Sequence, residues 1–168
     1  MAEPTLPQKG ILVAGIMSNN SLTLKSALDN LEAKFGKFGS KSNEYDFNFT
    51  DYYNEEMGKD YRKFFISFSK RVSIEKLPII KLWTNDLERI QEKRLINIDP
   101  GYLTEEKLVV ASCKPRPHRI YLSKGVYAHL MFFFKRNGVI PFKWTFEDYL
   151  LDSNVKFFLD CRKTLLKR

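Results

Sequence analysis

Cysteine and histidine are scarce in this chain. Its 168 residues contain two of each, Cys113 and Cys161, His118 and His129. Two cysteines without CxxC spacing read as free thiols, not as a disulfide or a metal pair. Two histidines cannot build a histidine-rich zinc centre. A metal would have to be a hard cation held by carboxylates, such as magnesium. Common nucleotide and hydrolase signatures are missing too: GxxxxGK[ST], a GxGxxG after the first strand, GxSxG, HExxH and paired His-x-Thr. Their absence excludes a P-loop NTPase, a dinucleotide-binding Rossmann turn, a serine-hydrolase elbow and a zincin. No apolar run approaches the roughly 20 residues that span a bilayer. The start, MAEPTLPQKG, lacks the charged-then-apolar pattern of a signal peptide. A cytoplasmic protein without a membrane partner is expected.

Aromatic residues are plentiful, with 14 Phe and 8 Tyr. Hydrophobic residues make up 43%, enough for a real core in one domain of this length. The net charge of +8 favours an anionic partner, a phosphate-bearing small molecule or a nucleic acid. A surface rich in Lys and Glu for stability is the plainer alternative. The charge is uneven: residues 46–60 are acidic, whereas 114–124 and 162–168 are basic.

The pattern along the chain predicts a short disordered lead over residues 1–9 and a single domain over 10–168. Residues 10–17 are a continuous apolar run, read as a buried strand. Leu24, Ala27, Leu28, Leu31 and Phe35 recur at helical spacing before Gly36. Strands are expected at 46–50 and 63–71. A helix capped by Ser73 should carry the stripe Ile80, Trp83, Leu87 and Ile90. Residues 94–99 read as a strand ending in a tight Pro100-Gly101 turn. This order defines an α+β fold, a ferredoxin-like βαββαβ sheet over residues 10–103. An extension over 104–168 should add a Thr104-capped helix at 105–112 and a hairpin. Its strands, at 120–134 and 139–144, should turn at Asn137-Gly138 in a type I′ loop. Thr145 with Asp148 resembles a capping box for a last helix, with Val155, Phe158, Leu159, Leu165 and Leu166 inward.

Four groups of residues carry candidate chemistry. Asp51, Tyr53 and Glu56 lie in an acidic loop that suits magnesium or a general base, or is simply solvated. Lys81, Asn85 and Glu88 fall at i, i+4 and i+7 on one helix stripe, which also describes an ordinary outer face. Asn97, Asp99 and Tyr102 surround the Pro-Gly step. Lys114, His118, Arg119 and Tyr121 form a proline-stiffened basic element fit for phosphate, or for guarding a strand edge. His129, in an aromatic run, reads as a hydrogen-bonded structural residue. Phe132, Phe133 and Phe134 read as core in preference to a base-stacking sheet.

These segments carry a resemblance. Phe49-Thr50-Asp51-Tyr52-Tyr53, Glu56-Met57-Gly58, Lys81 with Thr84-Asn85 and Glu88, residues 97–103, residues 118–122 and Trp144-Thr145 with Asp148-Tyr149 together resemble an uncharacterised prokaryotic family, domain of unknown function family 4416. The resemblance implies no established activity or cofactor. Its many polar motif residues imply a shared pocket. The expectation is an enzyme acting on a phosphate-bearing ligand, a nucleotide or nucleic-acid end. Asp99, Glu56 and Glu88 would be catalytic, with Glu56 and Asp99 holding magnesium. Asp51, Tyr53, Lys81, Asn85, Asn97, Tyr102, Lys114, His118, Arg119 and Tyr121 would bind the ligand. A non-catalytic RNA- or nucleotide-binding module and a protein-interaction subunit are the alternatives.

Overall fold

The computed structural model describes residues 1–50, 59–89 and 94–167. Strand β1 (Lys9–Ser18) is buried from Gly10 onward, as its apolar run requires. Asn20 caps helix α1 (Ser21–Phe35), its side chain accepting from the Thr23 N–H at 2.8 Å. Gly36, at φ 91°, ends that helix. Strands β2 (Phe38–Lys41), β3 (Tyr45–Asp46) and β4 (Arg62–Ser73) follow. A 3-10 turn (Ile74–Lys76) leads into α2 (Leu77–Glu88), with Pro78 in its first turn. Then come β5 (Ile96–Leu103), β6 (Lys107–Ser112), β7 (Ile120–Ser123), β8 (Val126–Lys135) and β9 (Gly138–Pro141). A 3-10 turn (Glu147–Leu150) and α3 (Asp152–Leu166) complete the chain.

The described residues form one nine-stranded antiparallel sheet and three helices. The strand path is β2-β4-β1-β5-β6-β8-β7, with β3 also on β4 and β9 also on β8. Because strand side chains alternate, both faces are apolar and both are covered. Helices α1 and α2 bury Leu12, Ala14, Ile16, Phe64, Ile66 and Ile98 on one face. Helix α3 and the turn before it cover the other face, around Val13, Phe65, Leu103, Val110 and Phe132.

Several expectations are corrected. The 105–112 helix is strand β6, joined to β5 by a turn in which Thr104 accepts from the Lys107 N–H. Its Leu108 and Val110 face one core, and Val109 and Ala111 the other. A strand buried on both faces loses the period-two signal. The sheet is therefore larger than the four-stranded unit expected, since the downstream strands join it. The 120–134 run is broken into β7 and β8 by Lys124-Gly125, both at positive φ (52° and 76°), the backbone a type I′ turn needs. The β8–β9 loop is Arg136-Asn137, and Asn137 is not at positive φ. The 46–50 strand shrinks to Tyr45–Asp46, and the chain then departs to bury Phe47 against Met17 and Tyr61. Ser73 makes no capping hydrogen bond. Thr145 accepts from the Phe142 N–H and donates to the Met131 carbonyl, capping no helix. In α3 the inward residues are Asn154, Phe157, Phe158, Cys161 and Leu165, while Leu166 is exposed. Ile90 lies outside the described residues.

The correction with most consequence is at Pro100-Gly101, which is no turn. Strand β5 runs through it, pairing with β1 from Ile96 to Leu103. It pairs with β6 only from Gly101 onward. Proline cannot donate to a ladder, so the two strands part at Pro100. Gly101 marks the last close approach: a Cβ there would lie 2.5 Å from the Val109 carbonyl oxygen.

Candidate functional site

The parting of β5 and β6 leaves the Ile98 edge without a strand partner, and α2 supplies one. Lys81 Nζ donates to the Ile98 carbonyl (2.9 Å), and Glu88 Oε1 accepts from the Ile98 N–H (2.6 Å). These two side chains stand two turns apart on one helix face and replace the missing strand. From there the bonds close a ring. Glu88 Oε2 pairs with Arg94 (2.7 Å), and Arg94 donates to Asn97. Asn97 donates to Asp99 Oδ2 (2.7 Å), and Asp99 Oδ1 lies 3.4 Å from Lys81 Nζ. Burial pushes the Glu88 carboxyl above its usual range, only partly offset by Lys81, Arg94 and the Ile98 N–H. Burial also acts to raise Asp99, but Lys81, Lys63, the Asn97 hydrogen bond and Arg94 outweigh it. Asp99 is held below its usual value and is ionised.

The facing wall is the segment before β7. Arg119 donates from Nε to His129 Nδ1 (3.1 Å) and from Nη1 to Ser112 Oγ (2.6 Å) and the Lys114 carbonyl (2.9 Å). With Nδ1 accepting, the His129 proton sits on Nε2 and is donated to the Trp144 carbonyl (3.2 Å). Burial, then Arg119 and His118, push His129 down to about 4, so it is a neutral acceptor that orients Arg119. The His118 ring lies flat on Trp144, with centroids 5.1 Å apart. Its value is lowered by burial, Arg119 and Arg116.

Two cavities flank this wall and share Asp99, Lys114, Arg119 and Phe146. The first, about 530 Å³, reaches from Lys81 and Asn97 to Ser112 and His129. The second, about 540 Å³, is bounded by Phe47, Phe49, His118 and Trp144, with Lys63 and Asp148 also in its lining. Both fall within the size range of small-molecule sites. Lys63 and Asp148 form a buried pair, Nζ to Oδ2 at 2.6 Å, and Tyr45 donates to the same oxygen (2.8 Å). Burial, then Asp148, raise the Tyr45 phenol far above its usual value, so it stays a donor. Gly15 of β1 stands opposite Asp99 and Phe65. A Cβ there would meet the Phe65 ring at 3.1 Å and the Lys63 stem at 3.4 Å, so its smallness makes room chiefly for the Phe65 ring. Cations outnumber carboxylates along the two linings.

Of the residues singled out in sequence, Lys81, Asn85, Glu88, Asn97, Asp99, Lys114 and Arg119 line the first cavity. His118 lines the second. Asn85 donates to Cys113 Sγ (3.3 Å). Tyr102 packs beside Leu77, Val109 and Val126 and lines neither cavity. Tyr121 is exposed on β7 against Tyr127 and lines neither cavity. Asp51, Tyr53 and Glu56 lie outside the described residues. Among the described residues no group of three or more His, Cys, Asp or Glu is placed to hold a metal ion. Sequence reasoning missed Lys63, Tyr45, Arg94 and Ser112, and gave Asp148 and Trp144 no ligand role. The available signal was Lys63 itself, a charge directly before the apolar run Phe64-Phe65-Ile66.

The fold and cleft define an antiparallel α+β protein with a charged, aromatic-walled cleft beside the gap where β5 and β6 part. Over residues 8–165 the chain matches the model described as "Domain of unknown function (DUF4416)", and it belongs to that family. No curated protein and no solved structure matches it. Among the described residues no helix is long and apolar enough to cross a membrane.

Proposed function

We propose that the protein is a cytoplasmic enzyme whose cleft binds a phosphate-bearing ligand, a nucleotide or a nucleic-acid end. The observation that carries this reading is the presence on one cavity lining of the ionised Asp99 and the oriented guanidinium of Arg119. Arg119 and Lys114 supply charge-assisted donors to phosphate oxygens. Asp99 serves as general base, or as a carboxylate ligand for a magnesium ion that accompanies the phosphate. Glu88, with both oxygens engaged by the Ile98 N–H and Arg94, positions Arg94 and takes no proton from substrate. The finer fold reading belongs here too. The order β2-β4-β1-β5, with α1 and α2 on one face, supports a ferredoxin-like unit enlarged by the later strands.

The test is thermal melting with inorganic pyrophosphate and a panel of nucleotides, each with and without magnesium. A shift of several degrees that Arg119→Met removes is expected. Asp99→Asn should fold normally and lose the part of the shift that depends on magnesium. No shift with any phosphate compound, or one indifferent to Arg119→Met, sinks the reading. A second reading, an interaction subunit, is favoured by edge strand β7, where Ile120, Tyr121 and Leu122 are all exposed. It requires a solution mass above the 19.8 kDa of one chain.

A further inference from the structure

The phosphate reading accounts for the first cavity and leaves the second unused. That second cavity has a different character. Phe49 and Phe146, 39% and 40% exposed, are large rings left open at its lining. His118 stacked on Trp144 adds a further flat surface. Aromatic walls of this kind take a planar heterocycle by stacking. The buried polar pair is unevenly satisfied. Lys63 Nζ, 4% exposed at the residue level, spends one of its three donors on Asp148. Asp148 receives Lys63 and Tyr45 on Oδ2, and Oδ1 accepts nothing among the described residues. A donor and an acceptor therefore stand side by side on the cavity lining. Asp99, Lys114, Arg119 and Phe146 join this cavity to the first, so one ligand can reach both.

We infer that the ligand is a nucleoside phosphate whose base carries a lactam edge, a ring carbonyl beside a ring N–H. This rests on the phosphate reading of the first cavity. The phosphate lies against Arg119 and Lys114, and the ring enters among Phe49, Phe146 and His118. The ring carbonyl accepts from Lys63, and the adjacent ring N–H donates to Asp148 Oδ1. Guanine and uracil present that edge. With the phosphate held on Arg119 and Lys114 and the base facing the same way, adenine and cytosine present an exocyclic amine in place of the carbonyl and an unprotonated ring nitrogen in place of the N–H, which would set donor against Lys63 and acceptor against Asp148. A site that satisfies one pattern of buried donors and acceptors rejects its inverse, because the mismatch leaves buried groups unpaired.

The experiment is calorimetric titration of the full chain with GMP, UMP, AMP, CMP and base-free ribose 5-phosphate at one salt concentration. GMP and UMP should bind about tenfold or more tightly than the other three, the size of one good hydrogen-bond discrimination plus stacking. Phe49→Ala, at an exposed ring that lines the second cavity and not the first, should weaken GMP about tenfold and leave ribose 5-phosphate unchanged, with circular dichroism checking that the fold is kept. Equal binding of all four nucleotides, tighter than the sugar phosphate, overturns the lactam assignment. Ribose 5-phosphate binding as tightly as GMP overturns the base site and leaves the phosphate site standing. No binding by any of the five overturns both.

Discussion

Replacing Lys63 with Met tests the buried ion pair of the cleft. Lys63 and Asp148 are 4% and 2% exposed, and their charged atoms are 2.6 Å apart. Methionine keeps most of the aliphatic stem but gives up the ammonium's approach to the Phe47, Phe65 and Tyr149 rings, whose centroids lie 4.9, 5.4 and 5.0 Å from Nζ. What is lost is the ammonium, which leaves the Asp148 carboxylate with one donor, the Tyr45 hydroxyl. Breaking a buried pair from one side costs about 3–5 kcal/mol. In a chain of this size each kcal/mol moves the midpoint by about 2–4 °C, so the melting temperature should fall by about 6–20 °C. Asp148→Asn should cost a similar amount, since it leaves the lysine buried without its counter-charge. The double variant Lys63→Met/Asp148→Asn removes both charges together. It should be less destabilised than the sum of the singles by about 2 kcal/mol or more, the signature of a coupled pair. Urea denaturation at pH 7 measures all three. Single losses below about 1 kcal/mol, or strict additivity, would falsify the view that this pair is desolvated and mutually dependent.

Glu88→Ala should cost about 3 kcal/mol in urea melts, because it strands the buried Ile98 N–H and deprives Arg94 of its partner. Glu88→Gln, which still accepts from that N–H, should cost less than half as much and keep ligand binding; equal losses would refute the strand-capping role. Gly101→Ala should destabilise by about 2 kcal/mol or more, since its Cβ would press on the Val109 carbonyl at 2.5 Å; an unchanged urea midpoint would contradict the close β5–β6 approach. His129 is depressed from 6.5 to about 4 on folding, so the unfolded chain binds more protons between those values. Its contribution is complete above pH 6.5 and is lost as the pH falls towards 4, a window above that of Asp99, which lies below 3.8. Melting temperatures should drop across that range and drop less in His129→Gln, with His118 adding to the residual slope and the raised Glu88 opposing it; a wild-type profile no steeper than that of His129→Gln would count against a neutral buried imidazole.

The parts of this fold that were legible in sequence are those whose burial is one-sided or whose ends carry their own chemistry. Helix α1 declares itself through Ala27 and Leu31 and through the Asn20 cap. Strand β6 does not, since Leu108, Val109, Val110 and Ala111 are all buried and leave no period to read. The cleft was half legible for a related reason. Lys81 and Glu88 stand out because i and i+7 share a helix face, whatever the strand beyond them does. Lys63 and Asp148 are 85 residues apart, and each had a local explanation, a strand lysine and a helix cap. Only their meeting across the sheet makes them a pair.

Pro100 shows how a local rule can misplace a residue and still mark the site. Asp-Pro-Gly has the composition of a turn, and nothing local reveals that β1 pairs straight through it. The proline acts on the other side of β5, where its missing N–H lets β6 depart. That departure creates the gap, the gap leaves Ile98 unsatisfied, and Ile98 explains why Lys81 and Glu88 are charged and buried. Much of the polar network is thus required by the backbone. Asp99 is not: it caps no backbone group, and its partners are the side chains of Lys81 and Asn97. Ionised, still partly open to the cavity it shares with Arg119, it is the charged member of the ring that folding alone does not call for. That argument, more than the charge count, makes Asp99 the residue on which the proposed chemistry should be tested.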